Sequence, residues 1–176
     1  MKNEEVVDAI IARLSREKDD IGDGTAGRES LEAVANMIRA LRALGDPKAL
    51  TPIITVLTAV QHKWGGGVEA IRHEGLRALG EMGGEDEDAI YEIISYLQVP
   101  DAQNSAFEAV KDIGDPASKY LIGMLDSDES YIQKTALSAL AAIGSKEAVN
   151  DIVPLLKEDD VQIAGNAALT LATLCR

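Results

Sequence analysis

The chain is short of the residues that aromatic, disulfide-stapled or metal-centred folds depend on. Only 3% of its 176 residues are aromatic, with one Trp and one Phe. A single cysteine, Cys175, excludes an internal disulfide and suits a reducing compartment. Two histidines, His62 and His73, leave little material for metal ligation or general-base chemistry. Basic residues are also scarce: 17 Lys and Arg stand against 30 Asp and Glu, for a net charge of −13. Such a field repels phosphate backbones, so no nucleic-acid partner is expected and a basic protein or peptide is favoured. No apolar run approaches the ~18 residues needed to cross a bilayer. The opening MKNEEVVDAI lacks the apolar core of a signal peptide. These absences point to a soluble, cytoplasmic protein with no membrane partner.

What is abundant is small and aliphatic. Hydrophobic residues make up 46% of the chain, mostly Ala, Leu, Ile and Val, which favours closely packed helices over strands. These residues repeat. ANMIRALRALG (35–45), RHEGLRALGEMG (72–83), NSAFEAVKDIG (104–114) and KTALSALAAIG (134–144) align without gaps on a closing glycine, and NAALTLATLC (166–175) fits the same frame. The glycines at 83, 114 and 144 are 31 and 30 residues apart; the interval from 45 to 83 is 38, so an insertion lies within it. In each copy a small residue (Ala40, Ala78, Ala109, Ala139, Thr170) precedes an aliphatic one, and another apolar residue (Leu44, Met82, Ile113, Ile143, Leu174) sits just before the closing position. That spacing makes an apolar stripe on one helix face. The glycine is expected to end the helix in the left-handed conformation. Asp46–Pro47 and Asp115–Pro116 then open a second helix. Its anchors also recur, from Ala49, Ala89, Ala117 and Ala148 onward.

Stretches such as IGDPASKYLIGMLDSDESYIQKTALSALAAIG resemble the HEAT-like repeats named after phycobilisome lyase subunits, over about residues 30–176. The resemblance implies an all-α fold, a right-handed α-α superhelix of about ten helices. The expected organisation is one domain over 1–176: a leading helix 3–18, a loop 19–29, repeats at 30–60, 68–98, 101–125 and 129–157, and a trailing helix 160–175. Lys2, Glu4, Glu5, Asp8, Arg13, Arg16, Glu17 and Lys18 are expected to form a polar outer cap. The trailing helix is apolar almost all round. Either Ala and Thr tolerate water on its outer face, or that face docks on another chain or a second copy.

Chemistry is not expected. Arg72-His73-Glu74 resembles one His-Glu dyad of deoxyhypusine hydroxylase, a di-iron enzyme built from similar repeats. The equivalent pairs, Ala35-Asn36, Asn104-Ser105, Lys134-Thr135 and Gly165-Asn166, supply no imidazole with a carboxylate. A solvated polar pair at a helix start is the simpler reading. Glu85-Asp86-Glu87-Asp88 lacks the spacing of a calcium loop and suits a first helical turn. No phosphate-cradling or dinucleotide motif occurs. No catalytic, cofactor or metal residue is therefore assigned, and no enzyme activity is expected.

Binding remains. The resemblance places the second helices on the inner, concave surface. Two residues after each anchor Ala come Thr51, Tyr91, Lys119 and Asn150; three after come Pro52, Glu92, Tyr120 and Asp151; six after come Thr55, Ser95, Gly123 and Pro154. Tyr91 and Tyr120 are the principal candidates, with Thr51, Glu92, Lys119, Asn150 and Asp151 beside them. The insertion QHKWGGG (61–67) holds Trp64, which either folds back over the adjacent helix ends or stands out as an anchor. The expected role is a protein-binding scaffold. The alternative is a bilin-lyase-like subunit or chaperone for a chromophore protein.

Overall fold

The structure, a computed structural model, describes residues 2–65 and 67–176. Gly66 of the insertion and the side chain of Lys2, both invoked above, lie outside the described residues. The chain is all-α, with ten α-helices and no strand among the described residues. It divides into two compact units, residues 1–109 and 110–176.

Unit 1 holds α1 (Lys2–Asp23), α2 (Arg28–Leu44), α3 (Leu50–Val60), α4 (Val68–Gly83), α5 (Glu87–Tyr96) and most of α6 (Gln103–Ile113). Helices α1, α3 and α5 pack in one layer, and α2 packs on α4 in the other. The core is aliphatic: Val34, Ile38, Leu41, Ile53, Leu57, Ile71, Leu76 and Leu79 are fully buried. The leading helix runs to Asp23, so most of the loop expected at 19–29 is helical and only residues 24–27 link α1 to α2. The cause is Ile21, which continues the buried stripe of Val7 and Leu14 at seven-residue spacing. The outer-cap expectation also needs correction at Glu17. Its carboxylate is buried and accepts hydrogen bonds from Ser30 and Arg13. The Ser30 hydroxyl does most to hold it below the usual carboxylate range.

Unit 2 holds α7 (Ser118–Gly123), α8 (Ser130–Ile143), α9 (Val149–Ile152) and α10 (Val161–Leu174). Helix α8 packs on α7 and α10, and α10 packs on α9. The second helices here are short α segments continued by 3-10 turns, Met124–Asp126 after α7 and Val153–Lys157 after α9. Pro154 explains the second case: it has no N–H to give an α-helical bond.

The closing glycines do not behave alike. Gly45 and Gly144 adopt the expected left-handed cap, at φ 65°, ψ 24° and φ 72°, ψ 29°. Gly83 does not: it is the last residue of α4, and Gly84 takes the positive φ of 50°.

Three of the second helices, α3, α5 and α7, are also closed from outside. The Nε2 of Gln103 donates to the Leu97 carbonyl at 2.9 Å, and that of Gln133 to the Leu125 carbonyl at 3.0 Å. Leu97 and Leu125 occupy the same register, eight residues after their anchor alanines. At the end of α3 the 61–67 insertion changes the geometry, and Arg72 of α4 takes over. Its Nη2 donates to the carbonyls of Val60 (2.7 Å), Gln61 (3.1 Å) and Lys63. Helix C-termini leave carbonyls without partners, and a cationic donor suits that end of the dipole.

Candidate functional site

The positions two, three and six residues after Ala49 and after Ala148 line an open groove, one in each unit; their counterparts after Ala89 and Ala117 line neither. In unit 1, Thr51, Pro52 and Thr55 of α3 face Ser15 and Lys18 of α1 across a groove of about 250 Å³. In unit 2, Asn150, Asp151 and Pro154 line a larger groove of about 640 Å³. Its floor is apolar: Leu125, Leu155 and Ile163, all buried, with Ile122 beside them. Its rim is acidic, with Asp126, Asp128, Asp151, Glu158 and Asp160, and no Lys or Arg lines it. Asp160 also starts α10. Its Oδ1 accepts from the backbone N–H groups of Gln162 (2.8 Å) and Ile163 (3.3 Å), and its Oδ2 from the Ser130 hydroxyl (2.9 Å). The Gln162 N–H, then Ser130, keep its carboxyl below the usual range, so it stays charged.

The other candidates fall in different surroundings. Tyr91 is 66% exposed on α5, as an exposed anchor requires. Lys119 is exposed and Tyr120 half-buried, with the Lys119 ammonium 4.8 Å from the Tyr120 ring centroid. Glu92 is not a surface residue. It is 7% exposed, accepts a hydrogen bond from the Thr58 hydroxyl at 3.3 Å, and is pushed above the usual carboxylate range by burial. Its register matches Asp151, but α5 buries this position while α9 exposes it. Beside it, the Tyr96 hydroxyl donates to the Leu57 carbonyl at 2.6 Å, and burial with the nearby Glu92 charge raises its pKa.

Trp64 is 66% exposed and also lies back over the end of α3. One face of its ring covers the guanidinium of Arg72, 5.6 Å from the ring centroid. Arg72 itself is 1% exposed. The reading of Arg72-His73-Glu74 as solvated at a helix start is therefore corrected: the three sit inside α4, and only His73 faces solvent. Glu74 accepts from Arg39 Nε (3.1 Å) and Nη2 (2.8 Å), with Arg42 at 3.7 Å. Burial opposes its ionisation, but Arg39, Arg42 and, to a smaller degree, His73 outweigh it and hold the carboxyl below its usual range. His73 Nδ1 lies 3.1 Å from the Ser105 hydroxyl. Among the described residues, no three His, Cys, Asp or Glu side chains converge on a possible metal position. Sequence reasoning missed the acidic rim because Asp126, Asp128, Glu158 and Asp160 lie in the links between helices, outside the repeat frame. The pattern DSDES at 126–130 and KEDD at 157–160 was the available signal.

The PBS lyase HEAT-like repeat family matches the chain at residues 28–58 and 132–158. No curated protein matches it. A crystal structure of an engineered protein aligns with 99% of this chain and 97% of its own, at 15% identity and a TM-score of 0.38.

Proposed function

Because the chain is a HEAT-like repeat protein, we propose that it is a cytoplasmic protein-interaction module that binds its partner along its second helices and performs no chemistry. The observation that carries this reading is that the same register positions line a groove on one second helix of each unit, α3 and α9. Side chains free of packing duty at matched positions are what a repeat scaffold uses for recognition. The exposed Tyr91 adds a rigid amphipathic contact. Affinity capture from the native host tests it. Wild type and a Ser138→Ala variant on the exposed face of α8 are expected to retain the same partners, while Tyr91→Ala/Asp151→Ala loses them. Identical capture by all three would sink the proposal. The lyase reading carried by the family's description predicts an absorbance shift when the chain is mixed with a bilin and its acceptor.

Self-association through α10 has its own support: Val161 is 83% and Leu169 69% exposed. Between Val161 and Leu174 there is no charged residue, so two chains of −13 can meet there without like-charge contact. Sedimentation at micromolar concentration should then show a dimer that Leu169→Lys abolishes; monomer throughout excludes it.

A further inference from the structure

The groove of unit 2 combines two features that constrain its occupant. Its floor of Leu125, Leu155 and Ile163 is apolar, and its rim carries the five carboxylates of Asp126, Asp128, Asp151, Glu158 and Asp160 with no cation lining it. None of the five forms an ion pair with another described residue. Both features matter to the choice of occupant. A metal ion needs ligands that converge, and no three carboxylates here do so. A purely apolar segment would leave the rim's charge uncompensated. Lysine and arginine side chains match both demands, because their methylene stems cover apolar surface while their charged ends reach outward. The cavity, about 640 Å³, is within the range of roughly 300–1,000 Å³ that holds ligands of several side chains.

We propose that this groove takes an extended segment of a partner protein in which lysine or arginine alternates with apolar residues. The stems lie on Ile122 and Pro154, over the buried Leu125, Leu155 and Ile163, and the cationic ends reach Asp126, Asp151 and Glu158. Asp160 contributes charge from a fixed position, since its oxygens are already held by Gln162, Ile163 and Ser130. This assignment rests on the interaction-module reading and names the chemistry of the partner.

The test uses the full chain and a short fluorescein-labelled peptide alternating arginine and leucine, followed by fluorescence anisotropy at about 0.15 M salt, where exposed charges beyond ~8 Å are screened. Asp126→Asn/Asp151→Asn/Glu158→Gln is expected to weaken binding by roughly tenfold or more, as loss of close charge partners does. Glu5→Gln/Asp23→Asn/Glu85→Gln removes the same charge from exposed positions of unit 1 and is expected to leave affinity within about twofold, because charges remote from the groove are screened at this salt. Far-UV circular dichroism checks folding, and the single exposed Asp151→Asn replaces the triple variant if helicity is lost. Equal loss in both triple variants would show general electrostatics and overturn the site. A serine–leucine peptide binding as well as the arginine–leucine one would leave the floor alone responsible. Displacement of the peptide by calcium or spermidine at matched charge would assign the rim to small cations. If the peptide fails but capture from the host stays sensitive to Tyr91→Ala/Asp151→Ala, the partner class is wrong and the module reading stands. If capture is insensitive too, both fall.

Discussion

A Cβ at Gly80 would lie 2.8 Å from the Cα of Ala109, so α4 and α6 touch backbone to backbone at this point of unit 1. Alanine is the better helix former by about 1 kcal/mol in an unconstrained helix. Here the contact decides the outcome, because a backbone atom cannot step aside as a side chain can. Gly80→Ala is therefore expected to lower stability by about 1–3 kcal/mol, the usual cost of overpacking, read as a reduced urea midpoint at unchanged slope. Glu92 gives a second test at this scale. Burial raises its folded pKa, so the stability linked to it is complete below the ordinary carboxylate range and is lost as pH rises through the raised value. Glu92→Gln should thus be more stable than wild type at neutral pH and indistinguishable from it near pH 4; denaturation curves across that interval decide. Neither residue announced itself in the sequence. Gly80 lies inside a helix with no turn signal, and Glu92 occupies a register position whose counterparts are exposed or half-buried. What was legible was the frame; what was not was the local depth of each position within it.

Helix ends carry the next layer of specificity. The lengths of α2, α3, α4 and α8 follow the apolar spacing closely, because each buries a full stripe. The repeat boundaries were legible for the same reason. The closures were not, since a carbonyl's partner is set by the position of a neighbouring helix and not by local pattern. Gln103, Gln133 and Arg72 read as ordinary polar residues until their helices are placed. Arg72→Gln shortens the donor and frees the carbonyls of Val60, Gln61 and Lys63. A loss of about 1–3 kcal/mol is expected for such buried unpaired groups, seen as a lower urea midpoint. Between α2 and α4, Glu74 works in the opposite pH direction from Glu92. Its folded pKa is lowered, so its contribution is present above the ordinary carboxylate range and lost as pH falls through the lowered value. Glu74→Gln should remove the part of acid unfolding that depends on this pair. The gap between variant and wild type is then widest near neutral pH and closes in acid.

For the molecule as a whole, charge is the property most directly readable from composition. A net charge of −13 sets the sign of any long-range attraction, and the rim of the unit 2 groove concentrates it. Association with a basic partner should therefore slow steeply as salt rises, while dissociation changes little. Stopped-flow mixing with the arginine–leucine peptide at two ionic strengths separates the two rates. The candidate site was half visible beforehand. Asn150 and Asp151 follow from the repeat register, whereas the link residues that supply most of the rim's charge belong to no repeated position.

The side-chain closures also bear on how such a chain can be cut and joined. A fragment cut at the closing glycines, from 83 to 114 or from 114 to 144, keeps Leu97 with Gln103 or Leu125 with Gln133, whereas a cut between a second helix and the first helix after it separates them. The piece that carries its own hydrogen-bond closure therefore begins at a second helix and ends with the following first helix. Grafts, deletions and duplications made in that frame should travel intact between hosts, whereas those made between the two helices would leave one open end on each side of every junction.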